Sequence, residues 1–114
     1  MTSFQQRVYE RLREVPSGRV TTYAHLAAAV GCGSPRAVGQ ALRRNPFAPE
    51  VPCHRVVKAD LTPGGFQGHA AGAARQRKTR LLAQEGVLFQ NGRLREAWRV
   101  YTFVTGKKAE AAAI

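Results

Sequence analysis

The sequence predicts a mainly α-helical single domain with small β elements, of winged helix-turn-helix-like architecture. Three observations support this fold class. Apolar residues recur at helical spacing in four segments. A short glycine-containing turn separates the second segment from the third, as in a helix-turn-helix unit. Near the C-terminal end, Asn91-Gly92 lies between two short apolar runs, which is typical of a β-hairpin and would supply a small wing.

The first helix is predicted over residues 3–15. Thr2 or Ser3 can cap its start, and the Pro-Ser-Gly sequence that follows ends it. The residues predicted to face the core are Phe4, Val8, Leu12 and Val15.

A second and a third helix follow a short extended piece with the sequence GRVTTY. Thr22 is the predicted N-cap of the second helix, which ends at Gly31. Ser34 and the proline after it predict the start of the third helix, which Asn45 and Pro46 close. The third helix offers arginines on its outward face, and its predicted inward residues are Val38, Ala41 and Leu42.

Residues 46–69 are irregular, with four prolines around a short strand candidate, Arg-Val-Val. Helical spacing returns from about residue 73 to residue 85. This helix is predicted to turn Leu81 and Leu82 inward and mostly to expose Arg75, Arg77, Lys78 and Arg80. Residues 105–114 are predicted to be a flexible tail, which leaves residues 1–104 as the folded domain.

Positive charge is the strongest signal in the composition. Eighteen Lys and Arg residues against seven Asp and Glu give a formal net charge of +11, and fourteen of the eighteen are arginines. Because arginine binds phosphate in a two-point geometry, a polyanionic partner, most simply nucleic acid, is predicted. A ribosome-associated protein or a merely soluble basic protein is the alternative.

No apolar stretch approaches the length of a membrane span, and the N-terminus lacks the apolar core of a signal sequence. We therefore expect a cytoplasmic protein with no membrane partner. The two cysteines, Cys32 and Cys53, form no CxxC pair and are too few for a disulfide framework or a zinc site. Both are expected to be free thiols, with a structural role for Cys32.

Cys53 lies in the sequence Val-Pro-Cys-His-Arg-Val-Val, and two interpretations of it are open. A cysteine beside proline in a short strand is often a small buried apolar residue. A cysteine beside histidine can instead be a nucleophile, since attack requires the thiolate and an ordinary thiol, with a pKa of about 8.5, needs a base to form it. This short segment does not decide between them.

Three segments, RAVGQALRRNP, VPCHRVV and LLAQEG, stand in the order and approximate spacing found in the O6-alkylguanine-DNA alkyltransferases. The chain resembles this family, and the related alkyltransferase-like proteins, from about residue 3 to residue 90. The resemblance implies a helix-turn-helix variant that enters the DNA minor groove and flips an alkylated guanine out of the duplex. It also implies that the alkyl group passes irreversibly to a cysteine, with no metal or organic cofactor.

The resemblance assigns catalytic roles. Cys53 is the alkyl acceptor, His54 deprotonates it through a bridging water, and Glu85 orients and charges the histidine. Asn45 braces the turn that leads into the active-site loop. Tyr23 protonates, or hydrogen-bonds to, the departing guanine and turns its backbone phosphate.

DNA contacts are expected mainly from the third helix. Arg36 matches the residue that inserts into the base stack and fills the space of the extruded nucleotide, although a solvated arginine at a helix start is the alternative. Ala37 and Gly39 either allow close approach to a narrow groove or simply pack helices together. The other expected DNA contacts are Tyr23, Arg43 and Arg44.

The substrate pocket is expected to form around the irregular segment. Phe66 stands where the family commonly has tyrosine, and Gln67 takes the place expected for a small serine that hydrogen-bonds the guanine oxygen. Lys78 lines up with a family lysine near the acceptor cysteine, or else it is one of four cations on a solvated, phosphate-facing helix. Arg55 is expected to serve structure by pairing with a carboxylate. The remaining expected pocket residues are Val51 and Pro52.

Two features set the chain apart from the transferases. We expect it to lack the N-terminal domain that most of them carry, and to have a loop over residues 63–78 that is several residues longer. In size, and over residues 76–94, it resembles the alkyltransferase-like proteins, which bind alkylated DNA without repairing it and hand the lesion to nucleotide excision repair. Those proteins replace the cysteine, whereas Cys53 is intact.

The sequence therefore favours a monomeric DNA repair protein that binds duplex DNA containing O6-alkylguanine and transfers the alkyl group to Cys53. The alternative is an alkyltransferase-like protein that flags the lesion for nucleotide excision repair proteins without transfer. A helix-turn-helix regulator without chemistry is a weaker third class, because it leaves the Cys, His and Glu unexplained.

Overall fold

The computed structural model describes residues 2–48, 50–64 and 72–103. The helices in this part of the chain are α1 (Ser3–Leu12), α2 (Tyr23–Ala29), α3 (Pro35–Arg43) and α4 (Gly72–Gln84). The strands are β1 (Thr21–Thr22), β2 (Val56–Val57), β3 (Phe89–Gln90) and β4 (Arg93–Leu94), and 3-10 turns span Cys53–Arg55 and Ala97–Arg99. The predicted class, mainly α with small β elements, is confirmed.

Side-chain caps begin the first three helices where the sequence predicts them. The Thr2 side chain accepts a hydrogen bond from the Gln5 N–H at 3.0 Å, and the Gln5 side chain accepts one from the Thr2 N–H in return. Thr22 and Ser34 each accept a hydrogen bond from the backbone N–H three residues further on, at 3.0 and 3.2 Å. Local sequence therefore sets where these helices start.

The end of α1 corrects the prediction, which placed it at Val15. The helix ends at Leu12, and the chain then turns, with the Val15 N–H donating to the Leu12 carbonyl at 3.1 Å. Val15 is nevertheless fully buried, so its apolar character reflects packing after the helix and not a further helical turn.

α2 and α3 form the predicted helix-turn-helix, joined by residues 30–34. Gly31 and Gly33 have left-handed φ values of 73° and 66°, which reverse the chain in a short space. The Cys32 sulfur, between them, accepts a hydrogen bond from the Ser34 N–H at 3.3 Å, in agreement with a structural role. The inward residues of α3 are those predicted, namely Val38, Ala41 and Leu42.

Two small sheets complete the fold. β1 pairs in parallel with β2, with Thr21 opposite Val56 and Thr22 opposite Val57. Because β1 runs directly into α2, and the Cys53–Arg55 turn runs directly into β2, this pairing brings two distant segments side by side. β3 and β4 form the antiparallel hairpin that the sequence predicts.

The hairpin turn has the backbone that its residues favour. Asn91 and Gly92 have φ values of 54° and 79°, both positive, as a two-residue turn between twisted strands requires. The Leu94 N–H donates to the Leu61 carbonyl at 2.8 Å, which fastens the hairpin to the loop after β2.

The core consists of two clusters of buried apolar side chains. The larger cluster lies between α1, α2, α3 and the segment around β2, and the smaller one lies between α4, the strands and the hairpin. The larger cluster includes Val8, Leu12, Val15, Leu26, Val38, Leu42, Val51 and Val56, and the smaller one consists of Val20, Val57, Leu82, Val87 and Leu94.

Among the described helices, none is long and apolar enough to cross a membrane.

Candidate active site

The 3-10 turn that carries Cys53 is fastened from two directions. The Cys53 N–H donates to the Val51 carbonyl at 2.8 Å, and the Asn45 side-chain amide donates to the same carbonyl at 2.9 Å. The Asn45 side-chain oxygen accepts from the Phe47 N–H at 2.9 Å, so the asparagine spans the loop between α3 and the turn. This is the bracing contact expected of Asn45.

Glu85, just beyond the end of α4, contacts both residues that follow Cys53. Its Oε2 atom lies 3.0 Å from His54 Nε2 and accepts a hydrogen bond from Arg55 Nη2 at 2.6 Å. Arg55 Nε donates to the other carboxylate oxygen at 2.9 Å, and Arg55 Nη1 donates to the Val15 carbonyl at 2.9 Å. The expected pairing of Arg55 with a carboxylate is thus confirmed, and it occurs within the candidate catalytic set.

These contacts set the protonation of the His54–Glu85 pair. Burial lowers the pKa of His54, although the hydrogen bond and the charge of Glu85 act in the opposite direction. Burial would raise the pKa of Glu85, but hydrogen bonds from Arg55 and His54 outweigh it and lower that pKa. A neutral His54 then holds its proton on Nε2 toward the carboxylate, which leaves Nδ1 as the ring nitrogen that can accept a proton.

Cys53 is 8% exposed, and its surroundings act on the thiol in opposite directions. Burial raises the pKa of Cys53, while the hydrogen bond from Asn45 and the positive charge of Lys78 lower it. The net shift is upward, so the thiol is mostly protonated at neutral pH and requires a base to become a nucleophile.

Lys78 corrects the expectation that the cations of α4 are mostly solvated. Its side chain is fully buried, its Nζ donates to the Pro63 carbonyl at 2.6 Å, and it lies 5.8 Å from the centroid of the Tyr23 ring. Burial lowers the pKa of Lys78 to about 7, against the attraction of a Cys53 thiolate. The sequence spacing indicates this burial, since Lys78 lies four residues from each of the buried residues Ala74 and Leu82, on the same face of α4.

Tyr23, the first residue of α2, joins Cys53 to an open groove. Burial raises the pKa of Tyr23, and negative charge on Cys53 raises it further, so the phenol stays protonated and can donate a proton. The groove has a volume of about 480 Å³, and Cys53 is not among its lining residues. It is lined by Tyr23, Ala24, Pro35, Arg36, Gly39, Lys58, Ala59 and Gly64.

The outer surface of α3 carries the expected basic residues. Arg36, Arg43 and Arg44 are exposed, and Ala37 is half-buried. A Cβ atom built on Gly39 would meet no atom within 4 Å, so packing inside the protein does not require a glycine there. The interpretation that these small residues serve to pack helices together therefore fails for Gly39, and close approach to a DNA groove is the interpretation that remains for it.

The remaining expected pocket residues divide into two groups. Val51 and Pro52 are buried, and Val51 packs into the larger core cluster, so it reaches the site through its carbonyl oxygen. Phe66 and Gln67 lie outside the described residues. Within residues 2–48, 50–64 and 72–103, no group of three His, Cys, Asp or Glu side chains is placed to hold a metal ion. The sequence analysis did not predict that Lys58 lines the groove beside Tyr23. Its position directly after the strand candidate Arg-Val-Val was the one feature that could have indicated it.

Comparison with known proteins places this geometry in a family. Residues 3–87 match the model of the 6-O-methylguanine DNA methyltransferase DNA-binding domain. The methylated-DNA–protein-cysteine methyltransferase of Methanothermobacter thermautotrophicus is 44% identical over 86 residues, which are 75% of this chain and 46% of that protein. The DNA base-flipping protein of Thermus thermophilus is 56% identical over 62 residues, or 54% of this chain and 42% of that one. The chain spans about half the length of the curated relatives it matches.

Two solved structures show the same fold in complexes with DNA. S. pombe Atl1, in complex with damaged DNA containing O6-carboxymethylguanine, has a TM-score of 0.76 and 30% identity, over 90% of this chain and 98% of that one. Mycobacterium tuberculosis OGT in complex with DNA has a TM-score of 0.67 and 41% identity, over 75% of this chain and 50% of that one.

The buried ammonium group of Lys78 predicts a specific pH dependence of stability. Its folded-state pKa of about 7 lies below the ordinary value of 10.5, so between these values the unfolded chain binds a proton that the folded chain releases. Relative to Lys78→Met, the free energy of unfolding of the unmodified protein should rise with pH in this window, by up to about 1.4 kcal/mol per pH unit. Urea unfolding at pH 7, 8 and 9 measures the difference.

Arg77→Met is the matched control, since Arg77 is exposed on the same helix. Its stability should change with pH in parallel with that of the unmodified protein. Parallel curves for Lys78→Met as well would show that Lys78 keeps an ordinary pKa in the folded state.

Proposed function

The chain belongs to the family of the 6-O-methylguanine DNA methyltransferase DNA-binding domain, and from this membership we propose that it flips O6-alkylguanine out of duplex DNA and transfers the alkyl group to Cys53. The observation that carries the proposal is the contact of His54 with Glu85 at 3.0 Å, immediately beside an intact cysteine. The transfer is irreversible, so each molecule acts once. The thiol is itself the reagent, and the proposed reaction uses no metal or organic cofactor.

Extrusion of the base is assigned to the surface of α3. Arg36 is exposed and lines the groove beside Tyr23, where it can enter the base stack and fill the space that the nucleotide leaves. Arg43 and Arg44 are exposed toward the other end of α3 and are assigned to phosphate contacts. The net charge of +11 supports electrostatic binding to DNA phosphates, which does not depend on the base sequence of the DNA.

Alkyl transfer is assigned to the residues around Cys53. His54 takes the thiol proton at Nδ1 through a water molecule, while Glu85 holds Nε2 and stabilises the imidazolium. The thiolate, beside Lys78, attacks the alkyl carbon: the S–C bond forms, the bond from that carbon to guanine O6 breaks, and its electron pair stays on the guanine. Tyr23 donates a proton to the departing guanine, which offsets the negative charge.

A second candidate function is lesion binding without transfer. The specific observation in its favour is the likeness to Atl1, which extends over 98% of that chain, whereas the likeness to the transferase structures extends over about half of theirs. In that case the protein would hold the lesion and mark it for nucleotide excision repair proteins. The intact Cys53 favours transfer. In either case we propose a monomer that acts in the cytoplasmic compartment on double-stranded DNA.

A mass measurement distinguishes the two functions. The protein is incubated with a duplex carrying one O6-methylguanine, digested, and its peptides are weighed. We expect one methyl group on the Cys53 peptide and none in Cys53→Ser. Transfer should be unchanged in Cys32→Ser, because the Cys32 sulfur lies in the turn between α2 and α3, where it accepts a hydrogen bond from the Ser34 N–H. Tight lesion binding with an unmodified Cys53 would establish the second function instead.

Gly39→Ala is expected to raise stability and weaken DNA binding at the same time. Alanine is favoured over glycine within a helix by about 0.5–1 kcal/mol, and the added methyl group meets open space in the protein. On DNA the same methyl group would separate α3 from the groove, and we expect about tenfold weaker binding, or about 1.4 kcal/mol. Thermal unfolding and fluorescence anisotropy with a labelled duplex measure the two effects.

Gly72→Ala is the control, because Gly72 also faces open space but lies at the start of α4. It should leave the affinity for DNA unchanged. Equal affinity of Gly39→Ala and the unmodified protein would show that α3 does not approach the duplex at this position.

A further inference from the structure

The groove beside Tyr23 contains a second cation that has no role in the reaction above. Lys58 follows β2 directly, is exposed, and lines this groove together with Arg36. Among the described residues that line the groove there are two cations and no carboxylate. The groove therefore favours an anionic group.

The backbone of Lys58 is fixed in a tight turn. Its N–H donates to the Thr62 carbonyl at 3.0 Å, and its own carbonyl accepts from the Leu61 N–H at 2.8 Å. Asp60 closes the turn through its side chain, which accepts from the Thr62 N–H at 3.1 Å and from the Thr62 hydroxyl at 2.7 Å. The origin of the Lys58 side chain is thus held in place relative to β2.

The aliphatic part of Lys58 is held as well. A Cβ atom built on Gly64 would lie 3.1 Å from Lys58 Cγ and 3.7 Å from Tyr23 Cε2, so the stem of the lysine and the edge of the tyrosine ring both lie close to Gly64 and leave little room for a side chain there. Gly64 also has a φ of 74°, which favours glycine. A packed stem loses less conformational entropy when its ammonium group binds a ligand.

We propose that Lys58 binds a backbone phosphate of the extruded nucleotide, on the side of the groove opposite α3. The inference rests on the proposed base flipping. A nucleotide whose base enters beside Tyr23 brings a phosphate as its own charged group, and Lys58 is one of the two cations that line the groove beside that ring. Arg36 is then free to fill the space that the extruded base leaves in the duplex.

Asp60 opposes this contact in the free protein. Hydrogen bonds from Thr62 are the main reason that the pKa of Asp60 is lowered, and the positive charges of Lys58 and Arg93 lower it further. The Asp60 carboxylate is held by Thr62, and its negative charge weakens the attraction of the nearby Lys58 for a phosphate. Asp60→Asn keeps an oxygen for the turn and removes the charge, so it should strengthen binding to DNA.

The first experiment measures the affinity of Lys58→Gln for a duplex with one O6-methylguanine over a range of salt concentrations. We expect about tenfold weaker binding at low salt, and a salt dependence reduced by about one phosphate contact. Lys58→Arg should retain most of the affinity. Arg80→Gln is the charge-matched control, because Arg80 lines a different groove, with Val87 and Leu88.

The second experiment removes phosphate charges one at a time. Each phosphate near the lesion is replaced in turn by an uncharged methylphosphonate. We expect one position at which the replacement weakens binding of the unmodified protein but has no further effect on Lys58→Gln. Equal losses for both proteins at every position would overturn the proposal.

Two further results would also overturn it. One is unchanged affinity and salt dependence in Lys58→Gln. The other is a loss of affinity only for a duplex with O6-carboxymethylguanine and not for one with O6-methylguanine, since Lys58 would then serve an adduct carboxylate. Failure of the proposed function itself is distinct, because the unmodified protein would then show no preference for the lesion.

Discussion

One carboxylate, that of Glu85, connects the candidate chemistry to the fold. It accepts hydrogen bonds from both Arg55 and His54, and Arg55 also donates a hydrogen bond to the carbonyl of Val15, which lies beyond the end of α1. The end of α4, the turn that carries Cys53 and the segment after α1 therefore share one set of hydrogen bonds. A charge that is only 16% exposed is tolerated because these donors compensate for lost hydration. The same donors keep the carboxylate ionised, which fixes the orientation of the imidazole.

The surroundings of Cys53 hold the thiol in a protonated form while keeping a cation close by. Burial disfavours the thiolate, and Lys78, itself buried with a pKa of about 7, favours it. Such an arrangement suits a protein whose acceptor cysteine reacts only once, because a permanently ionised thiol is also open to oxidation. In the proposed function, a lesion in the pocket and a base in place are both needed before the sulfur reacts.

Local rules account for much of the fold that the sequence predicts. The caps at Thr22 and Ser34 and the Asn91-Gly92 hairpin depend on contacts within a few residues, so they can be predicted without knowledge of the tertiary structure. The parallel pairing of β1 with β2 depends on contacts between distant segments, and two-residue strands leave no period to detect. Lys78 is buried by the packing of α4 against the site, although lysine is rarely buried, and its spacing from Ala74 and Leu82 is the sequence signal for this position. In the same way, Val51 is a core side chain whose carbonyl, and not its side chain, serves the site.

The likeness to Atl1 and the intact cysteine point to different functions on one fold, and transfer, unlike lesion binding, requires that His54 can accept a proton. Nitrogen-15 NMR of labelled protein reports directly which ring nitrogen of His54 carries the proton. We predict a neutral ring at pH 7 with its proton on Nε2 and an unprotonated Nδ1. A ring that is charged at pH 7, or one with its proton on Nδ1, would contradict this prediction, because neither form can take a proton from Cys53 while bonded to Glu85.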